Sequence, residues 1–402
     1  LAGIVILTRH GDRQGFYQSP TTYSASQTNL TVLGYLQEYQ NGQDLRSTYL
    51  TGTQKPISGI AVDTAQDAQM SVEADGAGEG EVIIDSANAL LQGLYPPFND
   101  TITLANSTAV SWDRAQLIRV NTIEEDEISL EGWTDCNTWT TRLNDWYNSS
   151  EFVAQSKIAN PFFASLKNVL GNRPATLTNA WNLFDFLNVN YIHNATIMNE
   201  ITPDQLAQAR YWANYHESGS FADSNPSNIG NVAGQTMLPG LMSDIQQIAN
   251  ASNPLKIAYT AISYKPFLSL FSIWQSGEAL SSNIVEYASA LVIEVHTDNT
   301  LNFVFRNGTQ GDFEPFSVLG SSQNLPISTF MTEMEKYQLL TLASWCDACS
   351  TTEERGCSTL AALNGTGGAG YASIDSTMGY HRVSPVVAGV IGAMVTLAVV
   401  VI

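Results

Sequence analysis

The run Gly3-Ile4-Val5-Ile6-Leu7-Thr8 constrains this chain more than any other segment, because it is apolar and β-branched with no alternating polar position until Thr8. A strand without a polar face has to be covered on both sides, as happens in parallel sheets whose crossover helices lie on both faces. The run passes directly into Arg9-His10-Gly11-Asp12-Arg13. Two guanidinium groups and an imidazole are thereby delivered to the carboxyl end of a buried strand, the place where open α/β sheets bind ligands. Residues Thr31 to Tyr49 follow with helical spacing, and Leu33, Leu36, Tyr39 and Leu45 are expected on one apolar face. Strand, loop and helix in that order predict an α/β fold with a doubly wound, mostly parallel sheet and helices on both faces.

Later segments extend this pattern. Lys256 to Thr260 reads as a second buried strand, followed by a turn and an apolar helix through Phe267, Leu270 and Trp274. Ala290 to His296 and Leu301 to Arg306 read as two more strands, with Asn307-Gly308 as a turn after them. Between these pieces the chain is rich in Trp, Phe, Tyr and Asn at helical spacings, which predicts a helical cap insertion whose aromatics form core. The expected organisation is a first α/β part at 1–119, the cap at 120–245, and a second α/β part at 246–345. A cysteine-containing tail with a Gly-rich stalk at 346–383 and an apolar segment at 384–402 complete it.

Charge narrows the setting. The 402 residues carry 17 Lys and Arg against 38 Asp and Glu, a net of −21, yet only 14% are charged. So acidic a surface repels phosphate backbones, which excludes nucleic acid as a partner class. Eight Asn-x-Ser/Thr triplets begin at Asn29, Asn99, Asn106, Asn148, Asn194, Asn250, Asn307 and Asn364. Spread over the whole chain, they predict a glycosylated protein of the secretory pathway, displayed at the extracellular face of the membrane. Four cysteines, Cys136, Cys346, Cys349 and Cys357, favour two disulfides there, with three pairings open. A zinc site begun by Cys346-x-x-Cys349 lacks a fourth close ligand, so neither metal nor cofactor is expected. The first residue is Leu1, directly before the apolar run, which suggests a signal peptide already removed. From Ser384 to Ile402 every residue except Thr396 is apolar or small. That length suffices to cross ~30 Å of hydrocarbon, or to serve as a cleaved lipid-anchor signal.

The five-residue element after the first strand carries the chemistry. Two arginines that stay charged make a fork-shaped site for a phosphate-like dianion. An imidazole held beside that anion is suited to attack phosphorus. Arg9 and Arg13 are therefore the candidate phosphate ligands and His10 the candidate nucleophile, with a phosphate or a phosphorylated small molecule as ligand.

This Arg-His-Gly-x-Arg element resembles the signature of the histidine acid phosphatases, the branch of the histidine phosphatase superfamily that includes phytases. Leu30-Thr31, Gly34, Gly42 and Leu45-Arg46-x-x-Tyr49 are similar to that family's first helix. Ser86-Ala87 through Gly93-Leu94-Tyr95-Pro96-Pro97 resembles its segment after the second strand, and Glu124-Glu125-Asp126 through Cys136 its entry to the cap. The resemblance spans most of residues 1–310. It implies a phosphoglycerate mutase-like fold and a phosphohistidine formed on His10. It also implies a third phosphate-binding arginine and a His-Asp pair, which this chain lacks. No arginine lies between Arg46 and Arg114; the matching position holds Val82, or Ala68 if residues Asp67 to Ser71 are the true match. The pair would fall at Ile262 and Ser263. Asp12 is the candidate replacement acid and Lys265 a candidate replacement cation, whereas His193, His216, His296 and His381 form no His-Asp dipeptide. A missing general acid alone costs about 10² to 10⁴ in rate, which predicts an impaired enzyme.

Overall fold

A computed structural model describes residues 1–16, 28–78 and 80–365. Its strands are β1 (Gly3–Arg9), β2 (Met70–Asp75), β3 (Phe98–Thr103), β4 (Ala109–Arg114) and β5 (Asn121–Ile123) in the first third of the chain. After the insertion come β6 (Ile257–Ile262), β7 (Ala290–Val295), β8 (Thr300–Arg306), β9 (Glu314–Pro315) and β10 (Leu325–Pro326). The main sheet has the order β10-β8-β7-β1-β6-β2-β5, with β9 also on β8. β1, β6, β2 and β5 are parallel, while β7 runs antiparallel to β1 and to β8. The expected buried strands are thus present, and the side of the sheet beyond β1 is antiparallel.

All seven residues of β1 are buried, and they divide between two cores. Ile4 and Ile6 pack with Leu45, Tyr49, Leu90 and Leu94, which come from α1 (Val32–Leu45), the π-helical turn Arg46–Leu50 that continues it, and α2 (Gly80–Leu94). Val5 and Leu7 face the other way, into the core that holds most of the later helices. Burying each such side chain contributes roughly 1.5–3 kcal/mol, so a polar substitution anywhere in β1 strikes both layers.

The apolar face expected for the first helix is not the buried one. Leu33 and Leu36 are exposed, and the residues turned inward are Gly34, Glu38, Asn41, Gly42 and Leu45. α1 crosses α2 backbone to backbone, so the contact selects small residues. A Cβ on Gly42 would lie 2.0 Å from the Leu90 carbonyl oxygen, and one on Gly93 2.1 Å from that of Tyr39. Counting leucines therefore picks the wrong side.

Between β5 and β6 the chain is mainly helical. Its longer helices are α3 (Asn137–Tyr147), α4 (Ser150–Ser165), α5 (Ala180–His193), α6 (Pro203–Phe221) and α7 (Leu238–Ala249). A capping box closes the start of α6, where Thr202 and Gln205 exchange hydrogen bonds. The hairpin β3–β4 stands apart from the main sheet, with Ile102, Val110 and Trp112 exposed.

After β6 comes α8 (Lys265–Ile273), and the chain later forms α9 (Leu342–Cys349) and α10 (Cys357–Gly365). The cysteines pair as Cys136–Cys349 and Cys346–Cys357. α10 reaches residue 365, so the stretch expected to be a Gly-rich stalk begins inside a helix. Among the described residues no helix is long and apolar enough to cross a membrane. The apolar segment 384–402 lies outside the described residues, as does His381.

Candidate functional site

β1 and β6 end side by side. Arg9 is abreast of Ile262, and the His10 N–H donates to the Ile262 carbonyl at 3.3 Å. The residues after β1 therefore turn over the carboxyl ends of the parallel strands. That turn is held from three sides. The Gly11 N–H donates to Ser86 Oγ of α2 at 3.1 Å, the Thr31 N–H donates to the Asp12 carbonyl, and the Ala288 N–H donates to the His10 carbonyl. Gly11 and Gly34 lie so close that a Cβ on Gly11 would sit 2.6 Å from the Gly34 carbonyl oxygen, so neither position tolerates a side chain.

His10 is buried, and its Nδ1 is 2.8 Å from the Gly11 carbonyl oxygen. A carbonyl only accepts, so Nδ1 carries the hydrogen and the lone pair of neutral imidazole resides on Nε2. That is the tautomer a nucleophilic histidine needs. The Tyr287 ring is 5.6 Å from the His10 ring, and burial pushes the Tyr287 hydroxyl well above the usual phenol range. Arg9 spans the same tyrosine at 4.3 Å and Tyr264 at 5.2 Å, and its guanidinium donates to the Val285 carbonyl at 2.5 Å. Arg13 is fully buried and faces Asp185 of α5 at 3.1 Å, where Asp185 also accepts from the Phe16 N–H.

Arg9 and His10 both lie against Tyr287, while Arg13 already has an internal carboxylate in Asp185. Asp12 has partners of its own. Its Oδ2 accepts from Thr31 Oγ1 at 2.5 Å and from His193 Nε2 at 2.6 Å, which ties it to α1 and α5. Val82 is buried inside α2, and Ile262 belongs to the core. Lys265 lies over the Trp133 ring at 4.8 Å. His296 sits beyond the end of β7, which pairs with Gly3, so it is at the opposite end of the sheet from His10.

Beside the arginines, the carboxyl ends of β2 and β6 and the helices of the insertion enclose a cleft of about 220 Å³. Its polar wall is a chain of hydrogen bonds. The Tyr264 hydroxyl donates to Glu217 Oε2 at 2.6 Å, His216 Nδ1 meets Glu217 Oε1 at 2.6 Å, and Tyr147 meets His216 Nε2 at 2.7 Å. Asp185, Glu217 and Tyr264 were not legible as site residues from the sequence. The one available signal was a single acid inside the apolar run Leu183-Phe184-Asp185-Phe186-Leu187 of α5.

No protein-family model matches the chain, and no curated protein is similar to it in sequence. Solved structures are. The phytase of Klebsiella sp. ASR1 superposes with a TM-score of 0.59 at 13% identity, covering 84% of this chain and 95% of its own. Hafnia alvei phytase in complex with myo-inositol hexakis sulphate gives 0.55 at 13% identity, with coverage of 85% and 97%. The phytase from D. castellii gives 0.54 at 12% identity, with coverage of 93% and 86%. These phytases are histidine acid phosphatases, and the superpositions over most of both chains show that this chain has the histidine acid phosphatase fold.

Proposed function

We propose that the chain is a pseudophosphatase, with the fold of a histidine acid phosphatase, an incomplete phosphoryl-transfer set, and a residual site for one phosphate group at Arg9, His10 and Arg13. The observation that carries this reading is the end of β6. Ile262, abreast of Arg9, occupies the place where the resemblance puts the His-Asp pair, and Ser263 follows it. Neither side chain can hand a proton to a departing alkoxide at acid pH. Asp12 Oδ2 is held by Thr31 and His193, so that oxygen is engaged within the protein. A phosphate entering the site has to compete with Asp185 for Arg13. The Hafnia alvei phytase, solved in complex with myo-inositol hexakis sulphate, shows that a protein of this fold can hold a polyanionic ester, which supports the reading.

One feature favours a second reading, an active extracellular acid phosphatase working through a phosphohistidine. The His10 tautomer is the nucleophilic one. Hydrolysis of an aryl phosphate, whose good leaving group least needs a general acid, separates the two readings when run from about pH 3 to 7 beside His10→Ala. Turnover matching the His10→Ala control is expected. Turnover well above it, with phosphate trapped on His10, overturns the pseudophosphatase reading.

The setting we propose is a glycosylated protein of the extracellular face, tethered through residues 384–402. Its support is the two disulfides, the apolar composition of that segment, and the exposure of all seven sequon asparagines from Asn29 to Asn307. A mobility shift on enzymatic removal of N-glycans tests the first part, and partition into the detergent phase tests the second.

A further inference from the structure

The cleft beside the arginines has a chemistry of its own. We propose that it binds one neutral, polyhydroxylated ring the size of a single sugar unit and rejects polyphosphorylated ligands. The claim does not rest on phosphate binding, because neither Arg9 nor Arg13 is among the described residues lining the cleft; Arg9 lies against the ring of Tyr264 and Arg13 against that of Phe16.

Size sets the first limit. About 220 Å³ is below the ~300–1,000 Å³ typical of pockets for drug-sized ligands, and suits one ring. The walls are flat. Trp181 stacks on Tyr264 with centroids 5.9 Å apart, and Trp139 on Phe221 at 5.2 Å. These pairs fix ring faces in advance, so a ring with C–H groups on one side can lie against them with little ordering cost.

Polar groups then select hydroxyls. Ser263 is 8% exposed and lines the cleft, and its Oγ has no hydrogen-bond partner among the described residues. A buried hydroxyl left unpaired is unfavourable, and a ligand hydroxyl relieves it. Glu217 is pinned by Tyr264 and His216, so it cannot swing away to make room for an anion.

Charge excludes the alternatives. Among the described lining residues, the carboxylates of Asp75, Glu131 and Glu217 face the single ammonium of Lys265. A ligand with several phosphates meets net repulsion, whereas ligand hydroxyls can donate to carboxylates. An organic cation is disfavoured differently: Lys265 already lies on the Trp133 face, the position such a ligand would take.

The test uses the full chain and its tryptophan fluorescence. Methyl glucoside, methyl mannoside and methyl galactoside are titrated in turn, with myo-inositol hexakisphosphate as competitor. At least one glycoside should give a saturable change with a Kd on the order of 1 mM. Ser263→Ala should weaken that binding about 3–10-fold while circular dichroism reports an intact fold. The hexakisphosphate should not displace the glycoside. Absence of saturation with all three glycosides, unchanged affinity in Ser263→Ala, or displacement by the hexakisphosphate each overturns the proposal. Inorganic phosphate titrated alone reads the arginine end, so failure there leaves the cleft result standing.

Discussion

Replacing Asp185 by Asn keeps the shape of the side chain and an oxygen for the Phe16 N–H, but removes the charge facing Arg13. Arg13 is fully buried, and the Asp185 side chain is 7% exposed. Breaking a buried pair from one side leaves an uncompensated ion and typically costs about 3–5 kcal/mol. Unfolding entropy of ~2.1 cal/mol/K per residue over the 361 residues Leu1–Ala361 amounts to about 0.8 kcal/mol/K. Asp185→Asn is therefore expected to lower Tm by about 4–7 °C. The same change opens Arg13 to an external anion. Inorganic phosphate at ~100 times its Kd would return about 2.7 kcal/mol, or roughly 3–4 °C, to the variant. The wild type, in which phosphate must first displace Asp185, should gain clearly less. Calorimetry of both proteins in phosphate and in chloride of matched ionic strength measures the two shifts. Equal phosphate shifts in both proteins, or an unchanged Tm in the variant, would refute the view that Asp185 occupies the anion's place.

Three further outcomes follow from the fold. Cys136→Ser opens a link across 213 residues and Cys357→Ser one across 11, so denaturant unfolding should register losses of about 5 and about 3 kcal/mol; equal losses would contradict the chain-entropy account. Gly42→Ala should cost about 1–3 kcal/mol by driving a methyl into the Leu90 carbonyl, while Gly240→Ala, in open space within α7, should gain about 0.5–1 kcal/mol; thermal melts of the two variants check the opposite signs. Burial raises Glu38 from its ordinary 4.5 to about 8, and burial with Glu73 nearby raises Asp244 to about 7. Folded protein holds these protons where unfolded protein has released them, so their stabilising effect is complete below about pH 4 and fades as pH rises through 7 and 8. Glu38→Gln should flatten that decline, as read from urea midpoints at about pH 5 and pH 8.

The parts of this structure that could be read from the chain were those written in consecutive residues. β1 announces itself as an unbroken apolar run, and the Arg-His-Gly-x-Arg element is contiguous with it. β6, β7 and β8 follow the same logic. The face of α1 could not be read, because its burial is decided by glycines meeting the α2 backbone and not by leucine spacing. The site's later members are invisible for a related reason: Asp185 and Glu217 arrive from helices far along the chain, and only the closure of the insertion over β6 brings them to Arg13 and Tyr264. Asp12 teaches the converse, since lying inside the motif does not leave a carboxylate without partners from distant helices.

The two disulfides also set how the molecule transmits mechanical tension. A pull arriving from the chain beyond α10 meets the folded body at Cys357, crosses to Cys346, runs one turn along α9 to Cys349, and passes to Cys136 at the start of α3. Force is thereby routed covalently into the helical insertion. The parallel strands that carry His10 lie off this path, so tension entering at Cys357 reaches the start of α3 before it reaches the arginine turn.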